Sequence, residues 1–226
     1  MIRPAALLVL LPLLIAGCGE TAPADGPATA NQPAPAETRT ETRAPAPLPD
    51  IVRVRLETEM GAIVVALDAA RAPATAANFV RYAEEGRFDG TTFYRAAPTK
   101  SGDGQATVGR GFIQGGIRRN YRRMLPPIAH EPTSETGLTH AAGTISMARG
   151  EGRGAMGEFF ITANAIPSMD AKRGAPGFAA FGKVVEGMDV VRRILAADTV
   201  PNSGRGAMRG QMIAKPVRIV HAKRLE

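Results

Sequence analysis

TTFYRAAPTKSGDGQATVGRGFIQGG, residues 91–116, begins with the alternating side chains of a β-strand, breaks off into a polar segment rich in glycine, and resumes as GFIQGG. Alternation of this kind is typical of a half-buried strand, whereas the Gly, Ser, Asp and Thr residues in the middle are typical of a loop. Arg95 lies where the first strand breaks off. The stretch predicts two strands interrupted by an excursion, with a cation at the edge of the break.

Strand patterns also occur on both sides of this stretch. VRVRLET, residues 52–58, alternates apolar and polar side chains, and AIVVALD follows it after a turn-forming TEMG. Further strand candidates are GTISMAR, EFFITA, FAAFGKVV and PVRIVHAKRL. Helical periodicity occurs in residues 72–88, where Pro73 suits the first position and Gly86 the end, and in GMDVVRRILAA, residues 187–197. Many short strands with one early and one late helix predict a closed antiparallel barrel capped by helices.

The beginning of the chain has the pattern of an export signal. A single positive charge precedes an apolar run, residues 5–16, that is shorter than the roughly 20 residues needed to span a bilayer. The run ends in IAGC, which resembles the lipobox of bacterial lipoproteins and implies cleavage before Cys18, with lipid attached there. We therefore expect a lipoprotein signal peptide at 1–17 and an Ala/Pro/Thr-rich linker at 18–50, disordered because it has almost no large apolar side chain. The folded domain is expected at 51–226.

Composition and motif spacing argue against several classes of function. The formal net charge of +7 is spread along the chain without a block of Lys or Arg, which argues against nucleic-acid binding. The chain has no Gly-Lys-Ser/Thr phosphate loop and no Gly-x-Ser-x-Gly nucleophile motif. Its 3 histidines are not in metal-ligand spacing, and its 1 cysteine allows no disulfide within the chain. An enzyme with this sequence would use neither metal, nucleotide nor nucleophile, so we expect no cofactor.

Five motifs of the chain occur together in one known family. FYR, GFIQGG, GTISMAR, GEFFIT and FAAFGKVVEGMDVV have the order and approximate spacing of cyclophilin-type peptidyl-prolyl isomerases, and residues 51–226 resemble that family over nearly their whole length. The resemblance implies an eight-stranded antiparallel barrel with two α-helices and a shallow outer groove that binds a proline-containing segment. It also implies peptidyl-prolyl cis-trans isomerase activity.

The groove residues of the family carry over to matching positions. Arg95 in FYR matches the catalytic arginine, and Gln114 in IQGG matches the glutamine beside it. Because neighbouring strand residues point to opposite faces, one of the two phenylalanines in EFF is expected in the core; the resemblance assigns the groove to the second. The substrate-binding positions implied by the resemblance are Phe112, Ala148, Arg149, Glu158, Phe160, Met169 and Phe178.

Some positions depart from the family pattern. Gly111 falls where a groove phenylalanine is usual, so Phe112 would have to serve for two residues. Glu158 stands in place of a glutamine, and it could pair with Arg95 or Arg149 or face solvent. On the interpretation of the protein as a non-catalytic binder, such departures would reduce turnover while the pocket is kept.

Two further departures concern ligands. Phe178 stands where a groove histidine is usual, although some bacterial members carry an aromatic residue there. The chain has no Trp, and Ser168 aligns near the tryptophan that helps to bind cyclosporin in many members. We therefore expect weak inhibition by cyclosporin.

The role that the resemblance gives to Arg95 fits the chemistry of the X-Pro bond. Amide resonance makes rotation slow, with a barrier of about 18–20 kcal/mol. In the twisted state the prolyl nitrogen regains a lone pair, to which an always-charged guanidinium can donate a hydrogen bond. An apolar pocket would hold the proline ring, and Gln114 would orient Arg95 or bind the substrate backbone.

We expect a monomeric enzyme of the cell envelope, anchored through lipid on Cys18, facing the periplasm and acting on proline-containing unfolded or exported polypeptides. Two alternatives stay open: a non-catalytic proline-peptide binder or chaperone-like lipoprotein on the same fold, and a purely structural envelope lipoprotein. The excursion at 96–110 is longer than the family's short connection, and we expect it to overhang the groove and select peptides.

Overall fold

The computed structural model describes residues 48–102, 105–118, 120–149 and 154–226. Within these ranges eight strands form one closed barrel in the order β1-β2-β7-β5-β6-β4-β3-β8, and all neighbours are antiparallel. The predicted closed eight-stranded barrel is confirmed. The strands are β1 (Ile51–Thr58), β2 (Gly61–Asp68), β3 (Thr92–Lys100), β4 (Ala106–Gly116), β5 (Thr144–Met147), β6 (Glu158–Thr162), β7 (Ala179–Glu186) and β8 (Met212–Arg224).

Three α-helices lie in the described part of the chain: α1 (Pro73–Glu84), α2 (Thr133–Thr136) and α3 (Met188–Leu195). Pro73 begins α1 as predicted, and Gly86 follows its end in the left-handed conformation, with φ of 61°. The sequence pattern predicts two helices; α2 is a third, because a single turn is too short to produce a periodic pattern. Helix α1 packs against β1, β2, β7 and β8, and α3 packs against β2, β3 and β4.

A cluster of aromatic rings fills the core. The ring of Phe79 in α1 lies 4.9 Å from Phe88, 5.2 Å from Phe159 and 5.3 Å from Phe181, in the tilted and edge-to-face arrangements that aromatic pairs prefer. Phe159 is fully buried among these rings. The prediction that one phenylalanine of EFF lies in the core is confirmed, and its neighbour Phe160 is directed to the outer face of β6.

The excursion between β3 and β4 is an extension of the two strands. β3 continues to Lys100, which pairs with Ala106 at the beginning of β4. Val108 is 95% exposed. None of the described residues in 96–110 is among those that line the groove that contains Arg95, and the overhang of the groove by the excursion stays a prediction. Backbone pairing between the two strands thus continues into the polar segment, as far as the pair of Lys100 and Ala106.

Packing begins before the first strand. The side chain of Leu48 packs against the core, and the carbonyl of Asp50 accepts hydrogen bonds from the N–H groups of Ala69 and Ala70 at 2.8 and 3.2 Å. The packed structure therefore reaches a little beyond the predicted boundary at residue 51. The longest helix of the described residues has 12 residues. No helix in this part of the chain is long and apolar enough to cross a bilayer.

Candidate active site

An open groove of about 460 Å³ lies on the outside of the barrel, and every catalytic and substrate-binding residue predicted from the sequence lines it. The predicted residues come from strands β3, β4 and β6, the segment after β5, and the connection from β6 to β7. Closure of the barrel brings these distant segments together. The predicted residues in the groove are Arg95, Phe112, Gln114, Ala148, Arg149, Glu158, Phe160, Met169 and Phe178.

The strand register sets the central row of the groove. Arg95 of β3 is opposite Gln114 of β4, which in turn is opposite Phe160 of β6. Side chains directly opposite one another have Cβ atoms about 4.5–5.5 Å apart, so the three can interact. The pairing of β3 shifts register between Phe93 and Arg95. At this bulge Tyr94 and Arg95 both reach the groove, although they are adjacent in sequence.

Two neutral amides hold the guanidinium of Arg95. Its Nη1 donates to Oε1 of Gln114 and its Nε donates to Oε1 of Gln211, each over 2.8 Å. Its Cζ lies 4.9 Å from the centre of the Phe112 ring, in a cation–π contact. Burial lowers the pKa of the Arg95 guanidinium, but an arginine stays protonated at neutral pH. The groove therefore contains a fixed cation beside aromatic surface.

Four apolar side chains form a pocket next to this cation. Phe160 is 2% exposed, and its ring lies 5.4 Å from both the Phe112 and the Phe178 rings. Met169 lines the same groove, and its carbonyl accepts a hydrogen bond from the N–H of Phe178 at 3.0 Å. Such a surface has no donor or acceptor of its own, so it suits a small hydrocarbon ring.

Gly111 has no space for a side chain, which explains the missing groove phenylalanine. Its φ is 139°, and a Cβ atom there would lie 2.1 Å from the carbonyl oxygen of Ala97. Its N–H donates to Oδ1 of Asn164 at 2.6 Å, and its carbonyl accepts from Ala163 at 2.8 Å. The ring of the next residue, Phe112, contacts the Arg95 cation on one side and the Phe160 ring on the other.

A buried histidine supports the pocket floor from behind. The His140 ring is stacked on Phe160, with ring centres 5.7 Å apart and planes 13° apart. Nδ1 of His140 lies 2.6 Å from Oδ1 of Asp170, which also accepts from the His140 N–H, and Nε2 lies 3.0 Å from the Ser146 hydroxyl. Burial lowers the pKa of the His140 imidazole, and the hydrogen bond with Asp170 opposes that effect in part. Phe160 thus rests on a hydrogen-bonded, fixed support.

The opposite end of the groove is polar. Oε1 of Glu158 accepts a hydrogen bond from the Tyr94 hydroxyl at 2.7 Å, and Cζ of Arg118 lies 4.8 Å from the Tyr94 ring centre. Among the described residues Glu158 forms no ion pair with Arg95 or Arg149, so both predicted pairings are wrong. The carboxylate is instead hydrogen-bonded to Tyr94, which reaches the groove at the bulge in β3. Burial raises the pKa of the Glu158 carboxyl and of the Tyr94 hydroxyl.

The segment after β5 borders the pocket through a side chain as well as through its backbone. Arg149 donates from Nε and Nη2 to the carbonyl of Gly177 at 3.1 and 2.9 Å, and its Cζ lies 5.8 Å from the Phe178 ring centre. The N–H of Ala148 is bonded to the backbone of β6 at 2.9 Å. Ser168 is exposed and is not one of the residues that line the groove.

Several residues that line the groove or support it have no recognisable sequence pattern. Gln211 is 116 residues from Arg95 along the chain, and its contact depends on how the barrel closes. The groove is also lined by Met124, Met156 and Met208, so that with Met169 it holds four of the chain's 9 methionines. Tyr94 could have been found, because it lies in the FYR motif, but strict alternation would have put it on the other face.

Two predictions concern groups attached to the protein. Cys18, the predicted lipidation site, lies outside the described residues. In the described part of the chain no group of three or more His, Cys, Asp or Glu side chains is arranged to hold a metal ion.

The barrel and its groove define a class of protein, and a family comparison identifies that class. Residues 53–224 match the family described as cyclophilin type peptidyl-prolyl cis-trans isomerase/CLD. This match covers well over half of the chain. The chain therefore belongs to the cyclophilin-type peptidyl-prolyl cis-trans isomerase family and is an enzyme of that class.

Curated relatives and a solved structure agree with this assignment. The chain is 37% identical over 147 residues to peptidyl-prolyl cis-trans isomerase A of Dickeya dadantii, covering 65% of this chain and 72% of the relative. It is 33% identical over 177 residues to peptidyl-prolyl cis-trans isomerase cyp18 of Streptomyces antibioticus, covering 75% and 96%. A cyclophilin-type isomerase of Cryptosporidium parvum has the same fold, with a TM-score of 0.57 and 18% identity over 77% of this chain and 99% of the other.

Proposed function

We propose that this groove accelerates rotation about X-Pro bonds in exported polypeptides, and that Arg95 donates the hydrogen bond that stabilises the twisted amide. The observation that carries the proposal is the Arg95 guanidinium, fixed by two amides over 2.8 Å at the edge of an apolar pocket. A catalyst of rotation needs a donor at the prolyl nitrogen and a site that holds the proline ring. The groove supplies both.

The donor acts because its interaction differs between the planar and the twisted amide. In either planar isomer the nitrogen lone pair is delocalised, and the rotation barrier is about 18–20 kcal/mol. At the twisted state the lone pair is localised and can accept a hydrogen bond. A charge-assisted bond made there contributes about 1.5–3 kcal/mol, or roughly ten- to a hundredfold in rate, to both directions equally.

The apolar pocket keeps the proline ring still while the preceding residue turns. Phe160 forms its floor, with the Phe112 and Phe178 rings each 5.4 Å away. The structure of the Cryptosporidium parvum protein was determined in the presence of the dipeptide Ala-Pro, which supports proline recognition by a groove on this fold. The rim also has fixed cations at Arg95 and Arg149, either of which can bind a backbone carbonyl of the substrate.

The beginning of the chain supports exported polypeptides as the substrates. Residues 5–16 are apolar and are followed by IAGC, which supports export and lipid attachment at Cys18. An Ala/Pro/Thr-rich spacer after the anchor would hold the enzyme domain away from a membrane. Polypeptides that have just crossed the inner membrane of a cell envelope are unfolded, and their prolines are then accessible.

The experiment is a protease-coupled prolyl isomerisation assay on the purified protein, with Arg95→Ala beside the wild type. We expect kcat/KM to fall about ten- to a hundredfold in the variant, while a proline peptide still binds. Exposed Arg209, which does not line the groove, provides the matched control Arg209→Ala. Unchanged activity of Arg95→Ala would contradict the mechanism. Peptide binding without any activity in the wild type would favour a non-catalytic binder.

Export and anchoring need a separate experiment. Cells that express the wild type or Cys18→Ser are grown with radioactive palmitate, and the protein is then isolated. We expect label on the wild type and none on the variant. Equal labelling of the two proteins would exclude lipidation at Cys18.

A further inference from the structure

Arg95 is held by a second amide that no groove motif contains. Gln211 lies at the end of the connection from α3 to β8, and its Oε1 accepts the hydrogen bond from Arg95 Nε at 2.8 Å. We infer that Gln211 is a positioning residue for isomerisation, which fixes the plane of the Arg95 guanidinium toward the proline pocket. The inference rests on the proposed role of Arg95.

Two acceptors on different segments of the chain determine the orientation of a guanidinium, whereas one does not. With Gln114 alone on Nη1, the group could rotate about a single hydrogen bond and about its own side-chain torsions. The second bond, on Nε, removes that freedom. A guanidinium has five N–H donors, and among the described residues Nη2 has no hydrogen-bond partner. The two glutamines therefore leave N–H donors of Arg95 free for a substrate and fix the direction in which they point. Orienting a catalytic group in this way raises the rate at which a bound substrate reacts.

Both acceptors are uncharged, which keeps the full charge of Arg95 for the substrate. In the described part of the chain no carboxylate forms an ion pair with this guanidinium. A carboxylate in place of either amide would satisfy the same donor but would also compensate the charge. Two glutamines are thus suited to hold the guanidinium of Arg95 while its charge remains available to the substrate.

Gln211 is itself firmly placed. Its carbonyl accepts a hydrogen bond from the N–H of Ala96 at 3.0 Å, and its own N–H donates to the carbonyl of Met208 at 3.1 Å. The next residue, Met212, pairs with Arg95 across β8 and β3. The backbone of Gln211 is therefore fixed through both its N–H and its carbonyl group, as a positioning residue requires.

The test is a double-mutant cycle of Gln211→Met and Arg95→Ala in the full-length protein, assayed for isomerisation and for binding of a proline peptide. Methionine has a similar length but offers Nε no good acceptor. We expect Gln211→Met to lower kcat about five- to tenfold with KM nearly unchanged. In the Arg95→Ala background, measured at raised enzyme concentration, the same substitution should change the rate by less than about twofold.

Each outcome separates the two proposals. If Arg95→Ala keeps wild-type activity, the proposed mechanism fails. If Arg95→Ala loses activity but Gln211→Met does not, or if Gln211→Met has the same fractional effect in both backgrounds, the positioning role of Gln211 is wrong. Gln105→Met makes the same substitution at an exposed glutamine outside the groove and should leave kcat unchanged.

A second variant covers the case in which Gln211→Met does not fold. Gln211→Glu keeps an acceptor of the same size, so the Arg95 Nε–H should stay hydrogen-bonded and its proton resonance should move downfield, because a carboxylate is the stronger acceptor. An Nε–H resonance that is the same in the wild type and in Gln211→Glu would overturn the inference.

Discussion

His140 is the residue on which the pocket floor rests. Its ring is fully enclosed, stacked on Phe160, and bonded through both nitrogens to Asp170 and Ser146. Burial lowers the pKa of this imidazole, although Asp170 opposes the effect. In the unfolded chain a histidine titrates near a pKa of about 6.5. In mild acid the unfolded state therefore binds the additional proton, and stability falls as the pH falls below about 6.5.

We expect this linkage to appear as a difference between variants in urea titrations at pH 7 and pH 5. The free energy of unfolding of the wild type should fall more steeply toward pH 5 than that of His140→Gln, by up to about 1.4 kcal/mol per pH unit for one proton. His221→Gln, which removes a more exposed imidazole, is the matched control. A pH dependence that is the same in His140→Gln and the wild type would contradict the account.

Helix α1 illustrates how an element depends on a distant residue. Its N-cap, Ala72, has no side-chain acceptor, yet the first N–H groups of a helix need one. The carboxylate of Glu131 supplies it, accepting from the N–H groups of Ala74 and Thr75 at 3.1 and 2.8 Å and from the Thr75 hydroxyl at 2.6 Å. The long connection from β4 to β5 is thereby fastened to the helix that carries the core ring of Phe79.

Removing this cap should weaken the whole barrel. We expect Glu131→Ala to lower the free energy of unfolding by about 1–2 kcal/mol, because α1 loses both its hydrogen bonds and a negative charge at its N-terminus. Glu131→Gln, which keeps an acceptor, should cost less. Glu186→Ala, at an exposed position of β7, should be close to neutral. Urea denaturation measures all three, and equal stability of Glu131→Ala and Glu186→Ala would refute the capping role.

The extended hairpin of β3 and β4 replaces the short connection that the family resemblance implies at this place. Its described residues do not line the groove, and it leaves the barrel beyond the pair of Pro98 and Gly111. Replacing residues 99–110 with Asn-Gly would close the hairpin with a two-residue turn. We expect kcat/KM to stay within about twofold of the wild type and the preference for the residue before proline to stay unchanged, since neither the cation nor the pocket moves. A peptide series assayed by kcat/KM tests this, and a changed preference would assign the hairpin a role in selection.

At the scale of the whole molecule, local patterns predicted the barrel, and the family resemblance of the motifs predicted the groove residues that lie in them. The alternation of apolar and polar side chains in β1 predicted which face of that strand is buried. The two-residue period of a strand predicted that Phe159 and Phe160 point to opposite faces. Contacts that depend on closure had no such pattern. Gln211 meets Arg95 because β8 pairs with β3, and His140 reaches Phe160 because a connection folds back onto the barrel. Pairing also explains the excursion at 96–110: Gly, Ser and Asp have little strand propensity, so the sequence resembled a loop.

The four methionines of the groove give the molecule a chemical vulnerability. Met124, Met156, Met169 and Met208 are all partly accessible, whereas Met147 in the core is 1% exposed. Peroxide converts a thioether into a polar sulfoxide, and methionine sulfoxide reductases reverse the change. Mild oxidation should therefore remove isomerase activity while the circular dichroism of the barrel persists, and reductase treatment should restore it. The fraction of active enzyme would then depend on the balance between oxidation and reduction of these methionines in its surroundings.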